Sequence, residues 1–131
     1  MRRLYVLLIL YSVATVVVAA CTSVSSAGSA NAGTSGNQVH MNDANFVQSS
    51  ITIKKGESIT LVADTLIAHT ISNGTWDNGT PKPAKESGAP LVDNVSVGGN
   101  SSATIGPFTS AGTFKLYCTI HPGMNLTVIV Q

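Results

Sequence analysis

Short runs of alternating apolar and polar residues, separated by turn residues, occupy the chain from residue 38 to residue 131. A period of two places apolar side chains on one face of a strand, whereas the helical period of 3.6 is absent from these runs. Gly, Asn and Ser between the runs are typical of turns. The pattern predicts an all-β domain with a single modest core, an antiparallel sandwich or barrel. Its strands are expected at 51–53, 59–62, 67–71, 95–97, 103–105, 113–117 and 126–130.

The beginning of the chain has the composition of an export signal. Residues 1–3 include two arginines, residues 4–20 contain no charged side chain, and small residues at 18–20 come directly before Cys21. The end of this segment resembles the lipobox of bacterial lipoproteins, which implies a mature N-terminus at a lipidated Cys21. An uncleaved membrane anchor is the alternative, although a spanning helix usually needs ~20 residues. We expect residues 1–20 to be a signal peptide and the protein to be exported, lipid-anchored, to the outer face of the cytoplasmic membrane or the periplasm.

Residues 21–37 begin with the lipidated cysteine and continue as Ser, Gly, Ala, Asn and Thr with one Val, a composition that predicts a flexible tether. Two of the seven basic residues of the chain are Arg2 and Arg3, so the exported part carries five basic against six acidic residues. Because no basic cluster remains, nucleic-acid binding is excluded as a function class.

Residues 74–90 are rich in Gly, Pro and Asn and predict the longest irregular segment of the domain. This segment leaves the run that carries His69, so it is expected near the same end of the sandwich. Trp76 lies near its start and is either a packing residue or part of a docking surface or lid. His40 and Met41 predict an exposed strand start, with a second metal site as the alternative.

Cys118, His121 and Met124 follow one another at intervals of three residues between two predicted strands. Thiolate and thioether groups suit Cu(I), imidazole suits either copper oxidation state, and a His₂Cys set with a weak axial Met is the donor set of blue-copper electron-transfer sites. His69 is the candidate for the missing histidine, because a sandwich pairs strands that are distant in sequence. Met124 has an alternative role as a core residue that begins a strand, which would leave three strong ligands.

Residues 38–131 resemble a cupredoxin, the small blue-copper fold, and the spacing of Cys118, His121 and Met124 is closest to the short ligand loop of the amicyanins. The segments 106–108 and 111–114, ahead of the ligand cysteine, are further shared features. The resemblance implies a Greek-key β-sandwich, one type 1 copper per domain and one-electron transfer.

Two residues beside the donors depart from the family pattern. Thr70 stands where plastocyanins and azurins usually place an Asn after the first histidine ligand, and Ile120 replaces the Pro of the amicyanin loop. Both are expected to affect the hydrogen bonding around the cysteine sulfur and therefore the reduction potential.

The donor set predicts an electron carrier and not an enzyme. Four protein ligands leave no position for substrate or water, and with three histidines in total the chain cannot supply the further clusters of a copper oxidase or nitrite reductase. We expect a monomer that docks weakly onto redox proteins of an electron-transport chain, with His121, Ile120 and Pro122 at the point of contact. The alternative is a copper-binding or delivery protein without an electron-transfer role.

Overall fold

The computed structural model describes residues 36–131, and within that range all regular structure is β-strand. Six of the predicted runs fall inside strands, and the seventh, 67–71, enters one at His69, which confirms the all-β prediction. The strands are β1 (Gln38–Met41), β2 (Ser50–Ile53), β3 (Ile59–Ala63), β4 (His69–Asp77), β5 (Thr80–Pro83), β6 (Val95–Val97), β7 (Ser102–Ile105), β8 (Gly112–Cys118) and β9 (Asn125–Val130).

The strands form two sheets that pack as a sandwich. The first sheet has the order β1-β3-β7, and the second has the order β2-β9-β8-β4-β5, with β6 also paired to β4. The pairs β1–β3 and β2–β9 are parallel, so the expectation of a purely antiparallel sandwich is wrong for these strands. The reason is that β2 and β3 belong to different sheets: residues 54–58 carry the chain across the sandwich instead of closing a hairpin.

The core lies between the inner faces of the two sheets. Both β3 and β9 bury every second residue, as the alternation predicted. The rings of Phe108 and Phe114 are 0% and 2% exposed and lie 5.8 Å apart. Burial of side chains of this size stabilises the fold by about 1.5–3 kcal/mol each. His69 and Cys118 are also fully buried, so two predicted donors lie at the edge of this core.

Residues 74–90 are not irregular throughout, contrary to the prediction. Strand β4 continues through Asp77, and β5 returns beside it with Asp77 opposite Thr80. The two residues between the strands are Asn78 and Gly79, with φ angles of 49° and 76°. Positive φ at both central positions is typical of the two-residue hairpin turn that Asn-Gly favours. The Asn-Gly pair was therefore a hairpin signal inside a segment whose other Gly and Pro residues indicated a loop.

His40 and Met41 lie in β1, where His40 is half-buried and Met41 is buried. Met41 is fully buried in the core, whereas Nδ1 of His40 lies 2.8 Å from a carboxylate oxygen of Asp64. Within residues 36–131, groups of three or more His, Cys, Asp or Glu donors converge at one place only, and it does not include His40. The alternative of a second metal site at this pair is therefore unsupported.

The predicted signal peptide, the lipidation of Cys21 and nearly all of the tether fall outside the described residues. Among residues 36–131, no helix has the length and apolar character needed to cross a membrane.

Candidate metal centre

Strand register brings His69 and Cys118 together on the inner face of the second sheet. Ile71 of β4 lies opposite Cys118 of β8. His69 precedes Ile71 by two residues, so the two side chains share one face of the sheet, and His69 is a diagonal neighbour of Cys118. The ends of β4 and β8 therefore fix two donors at one end of the core.

The chain after β8 carries the other two predicted donors back to the same place. The N–H of Cys118 donates to the carbonyl of Met124 at 3.0 Å, and the N–H of Met124 donates to the carbonyl of His121 at 3.2 Å. Gly123 lies between these donors with a φ of 81°, in the left-handed region that favours glycine. These bonds close residues 118–124 into a compact loop, which we call the ligand loop.

A second pair of hydrogen bonds ties the ligand loop to β4. The N–H of Thr119 donates to the carbonyl of Thr70 at 2.7 Å, and the Thr119 hydroxyl donates to the same oxygen at 3.3 Å. Thr70 therefore supports the site through its backbone carbonyl, which any residue at this position would provide. The position of its neighbour His69 is thereby coupled to that of Cys118.

Three donor atoms converge where β4 begins and β8 ends. Nδ1 of His121 lies 3.2 Å from Nδ1 of His69 and 3.4 Å from Sγ of Cys118, and the third distance, from Sγ of Cys118 to Nδ1 of His69, is 3.9 Å. Two donors that share one ion at bond lengths of about 2.0–2.3 Å lie roughly 3.2–3.8 Å apart at tetrahedral to trigonal angles. The two distances from His121 fall in this range and the distance between His69 and Cys118 lies just above it, so the three side chains have close to the spacing, and the chemistry, of ligands to a single copper ion.

Burial of His69 favours the neutral imidazole that metal binding requires. Removal of His69 from water, and secondly the adjacent His121 ring, lower the pKa of His69, while the backbone of Asn42 and the Asp43 carboxylate oppose this shift. Cys118 is buried as a free thiol. Because histidine ligates as the neutral imidazole and cysteine as the thiolate, an uncharged His69 beside a free Cys118 suits a metal site.

The remaining predicted residues of the ligand loop lie in two environments. Met124 is 1% exposed, in a loop tied to Cys118, which makes its thioether the candidate for a weak fourth ligand. On the outer side, Ile120 is 54% exposed, Pro122 is exposed and His121 is half-buried. The surface of the ligand loop is therefore mainly apolar.

Sequence reasoning missed contacts that hold the ligand loop at both of its ends. The indole Nε1 of Trp76 donates to the carbonyl of Cys118 at 2.7 Å. Asn125, directly after the ligand loop, exchanges two side-chain hydrogen bonds with the backbone of Trp76. A polar residue at the start of the apolar run 126–130 was the only signal for Asn125 in the sequence.

Comparison with known proteins decides the family. Residues 33–131 match the family described as copper binding proteins, plastocyanin/azurin family. The chain belongs to this family. The resemblance to the cupredoxins and the predicted copper cofactor are thereby confirmed, and this cupredoxin is of the copper-binding, electron-carrier type.

Solved structures support the fold assignment of the cupredoxin. Amicyanin from Paracoccus versutus matches with a TM-score of 0.56 and 21% identity, over 74% of this chain and 82% of that one. A purple cupredoxin from Nitrosopumilus maritimus matches with a TM-score of 0.52 and 18% identity, over 71% and 99% of the two chains. At these identities the likeness shows the fold alone. Among curated proteins, no match to the chain is found.

Proposed function

We propose that the protein is an exported one-electron carrier with a type 1 copper centre formed by His69, Cys118, His121 and Met124. The proposal is carried by three donor atoms that all lie within 4.8 Å of one another at the buried end of two strands. When bound there, copper supplies a Cu(I)/Cu(II) couple whose potential is tuned by the axial ligand and by the surroundings of the cysteine sulfur.

The residues of this chain keep the site closed and in place. Two donors are fully buried on paired strands, and the hydrogen bonds of the ligand loop fix the backbone that carries the other two. With Met124 as the fourth ligand, no coordination position remains for substrate or water, in contrast to a catalytic metal site. We therefore infer a carrier and not an enzyme.

Redox partners of an electron-transport chain are proposed to dock where the ligand loop reaches the surface. His121 is half-buried there, between exposed Ile120 and Pro122. Leu66 and Ile67, in the connection that leads into β4, are 83% and 41% exposed. Leu66 and Ile67 come shortly before the strand that begins with His69, and a small, mainly apolar surface suits brief contacts with partners. The carrier is proposed to act as a monomer.

A copper-delivery protein is the alternative function, and burial of the methionines speaks against it. Delivery proteins present exposed clusters of Met or His side chains to Cu(I). Met41 and Met124 are 0% and 1% exposed, so neither thioether is presented at the surface.

The absorption spectrum of the copper-loaded protein tests the proposed function. A cysteine thiolate on Cu(II) gives an intense blue or green charge-transfer band, whereas Cu(I) carried by Met and His is colourless. Cys118→Ala should abolish the band and leave a folded β domain, and the matched control Cys21→Ala should retain the band. A colourless unmutated protein, or a band that survives in Cys118→Ala, would overturn the type 1 assignment.

The lipid anchor at Cys21 is proposed from the order of the signal segment, the small residues and the cysteine. Acyl chains contribute ~0.8 kcal/mol per buried CH₂, so two chains hold a protein stably on a membrane. Cys21→Ala should move the protein from the membrane fraction to the soluble fraction or leave it unprocessed. Recovery of the unmutated protein without detergent, with an N-terminus elsewhere than Cys21, would contradict this location.

A further inference from the structure

Trp76 forms hydrogen bonds at both ends of the ligand loop. Its indole Nε1 donates to the carbonyl of Cys118 at 2.7 Å. Its backbone N–H donates to Oδ1 of Asn125 at 2.7 Å, and Nδ2 of Asn125 donates back to the Trp76 carbonyl at 3.0 Å. The side-chain amide of Asn125 thus both accepts from and donates to the backbone of Trp76, which fixes the orientation of the Asn125 side chain.

The Trp76 ring reaches the ligand loop across the outer face of the second sheet. Leu116 and Cys118 of β8 point into the core, so Tyr117 between them points to the outer face, yet it is only 4% exposed. The rings of Trp76 and Tyr117 meet edge to face, with centroids 6.0 Å apart and planes at 84°. Trp76 therefore covers the outer face directly behind the strand that ends in the ligand cysteine.

The hairpin of β4 and β5 gives Trp76 a fixed base. Trp76 lies opposite Pro81 in this hairpin, and the pair Asp77 and Lys82 adds an ion pair across it. Gly74 begins the hairpin with a φ of 131°, where the backbone turns away from its pairing with β8. Because the hairpin already fixes the backbone of Trp76, the indole loses little conformational entropy when it donates to the carbonyl of Cys118. This hydrogen bond is therefore preorganised.

We propose that Trp76 and Asn125 are positioning residues that act as one unit and hold the ligand loop closed around the donors. This inference rests on the proposed function of residues 118–124 as the copper-binding loop. Asn125 fixes the backbone of Trp76, and the Trp76 indole fixes the carbonyl of Cys118, so loss of the Asn125 contacts also weakens the hold on Cys118. Neither side chain is a ligand, and their effect on copper passes through Cys118.

The rate at which Cys118 reacts with iodoacetamide in the metal-free full chain measures opening of the ligand loop. Cys118 is fully buried, so alkylation requires a local opening. The two cysteines of the chain are Cys21 and Cys118, and a Cys21→Ala background leaves one thiol to follow. Trp76→Phe keeps an aromatic ring and removes the N–H donor, and loss of one hydrogen bond should raise the alkylation rate about fivefold. Asn125→Ala should raise it by a similar factor.

A double variant and a stability control separate positioning from general destabilisation. Because the two residues act in series, Trp76→Phe with Asn125→Ala should react no faster than the faster single variant. Ile53→Val changes a side chain of the edge strand β2 that is 3% exposed; it lowers global stability without touching the loop, and it should leave the rate unchanged. Asn125→Asp keeps the oxygen that accepts from the Trp76 N–H, so Cys118 should react more slowly in this variant than in Asn125→Ala. This variant replaces Asn125→Ala in the test if the alanine variant does not fold.

The outcomes distinguish this inference from the proposed function. An alkylation rate in Trp76→Phe equal to that of the unmutated chain, or a rise matched by Ile53→Val, would overturn the positioning role. Additive effects in the double variant would overturn the single unit. Failure of the proposed function is read separately, as the absence of a visible band in the copper-loaded unmutated protein.

Discussion

Replacing Gly74 by alanine tests how closely the backbone of β4 must approach that of β5 at the start of their hairpin. A Cβ at Gly74 would overlap the carbonyl oxygen of Lys82 and come within 2.9 Å of backbone atoms of Pro83 and Ala84. The φ of 131° is also unfavourable for any residue with a side chain, at a cost of about 1–3 kcal/mol. Overlap with neighbouring atoms adds about 1–3 kcal/mol. We expect Gly74→Ala to lower the free energy of unfolding by roughly 2–6 kcal/mol.

Gly79→Ala is the matched control, because Gly79 lies in the same hairpin at a φ of 76° with no atom within 4 Å of a Cβ. Its cost should be limited to the left-handed backbone, about 1–2 kcal/mol. Urea unfolding followed by far-UV circular dichroism measures both variants against the unmutated protein. For a domain of this size, ~1 kcal/mol corresponds to about 4–8 °C in the unfolding midpoint, so the difference is also visible by calorimetry. Equal losses in the two variants would refute the argument that backbone contact at Gly74 fixes the hairpin.

Two further outcomes follow from particular contacts. Met124→Gln presents a harder oxygen donor that favours Cu(II), so copper and colour should remain while the midpoint potential in voltammetry falls; an unchanged potential would mean that Met124 only packs. The N–H of Lys54 and, secondly, the amide of Asn37 bind the Glu57 carboxylate and lower its pKa from 4.5. Because the pKa of Glu57 is lowered in the folded state, the ionised carboxylate stabilises the protein above pH 4.5, and this stabilisation is lost as pH falls through the folded-state pKa. The stability difference between the unmutated protein and Glu57→Gln should therefore narrow from pH 6 to pH 3. A difference independent of pH would show that the carboxylate charge contributes nothing.

Strand existence was predictable where one face is buried and the other is exposed or partly exposed. In β3 and β9 the alternation of side chains matches the burial of every second residue. The partner of each strand was not predictable in the same way. A period of two shows which side chains of a strand face the core, but it does not show which other strand lies beside it. The parallel pairing of β2 with β9 depends on the crossing at residues 54–58, where a Gly turn would equally suit a hairpin.

The donors were predictable because their chemistry is rare in this chain. Of two cysteines and three histidines, Cys118 and His121 share one loop, and His69 was the only histidine inside an apolar run. The supports of the site were not predictable from donor chemistry. Asn125 and Trp76 contribute hydrogen bonds of an ordinary kind, and their significance depends on where β4 turns at Gly74.

Two buried polar residues, Ser72 and Asn73, break the alternation of buried and partly exposed side chains in β4, the strand that begins with His69. Ser72 and Asn73 suggested the end of a strand, yet they are 7% and 6% exposed. Their side chains accept hydrogen bonds from the N–H groups of Asn94, at 2.8 Å, and Val92, at 2.7 Å, which attaches the connection before β6 to β4. A buried acceptor left without a partner costs about 1–3 kcal/mol, so these two bonds offset the burial of the Ser72 hydroxyl and of Oδ1 of Asn73. Ser72 and Asn73 remain in register with Tyr117 and Leu116 of β8. These polar residues therefore hold the connection before β6 without interrupting the strand that carries His69.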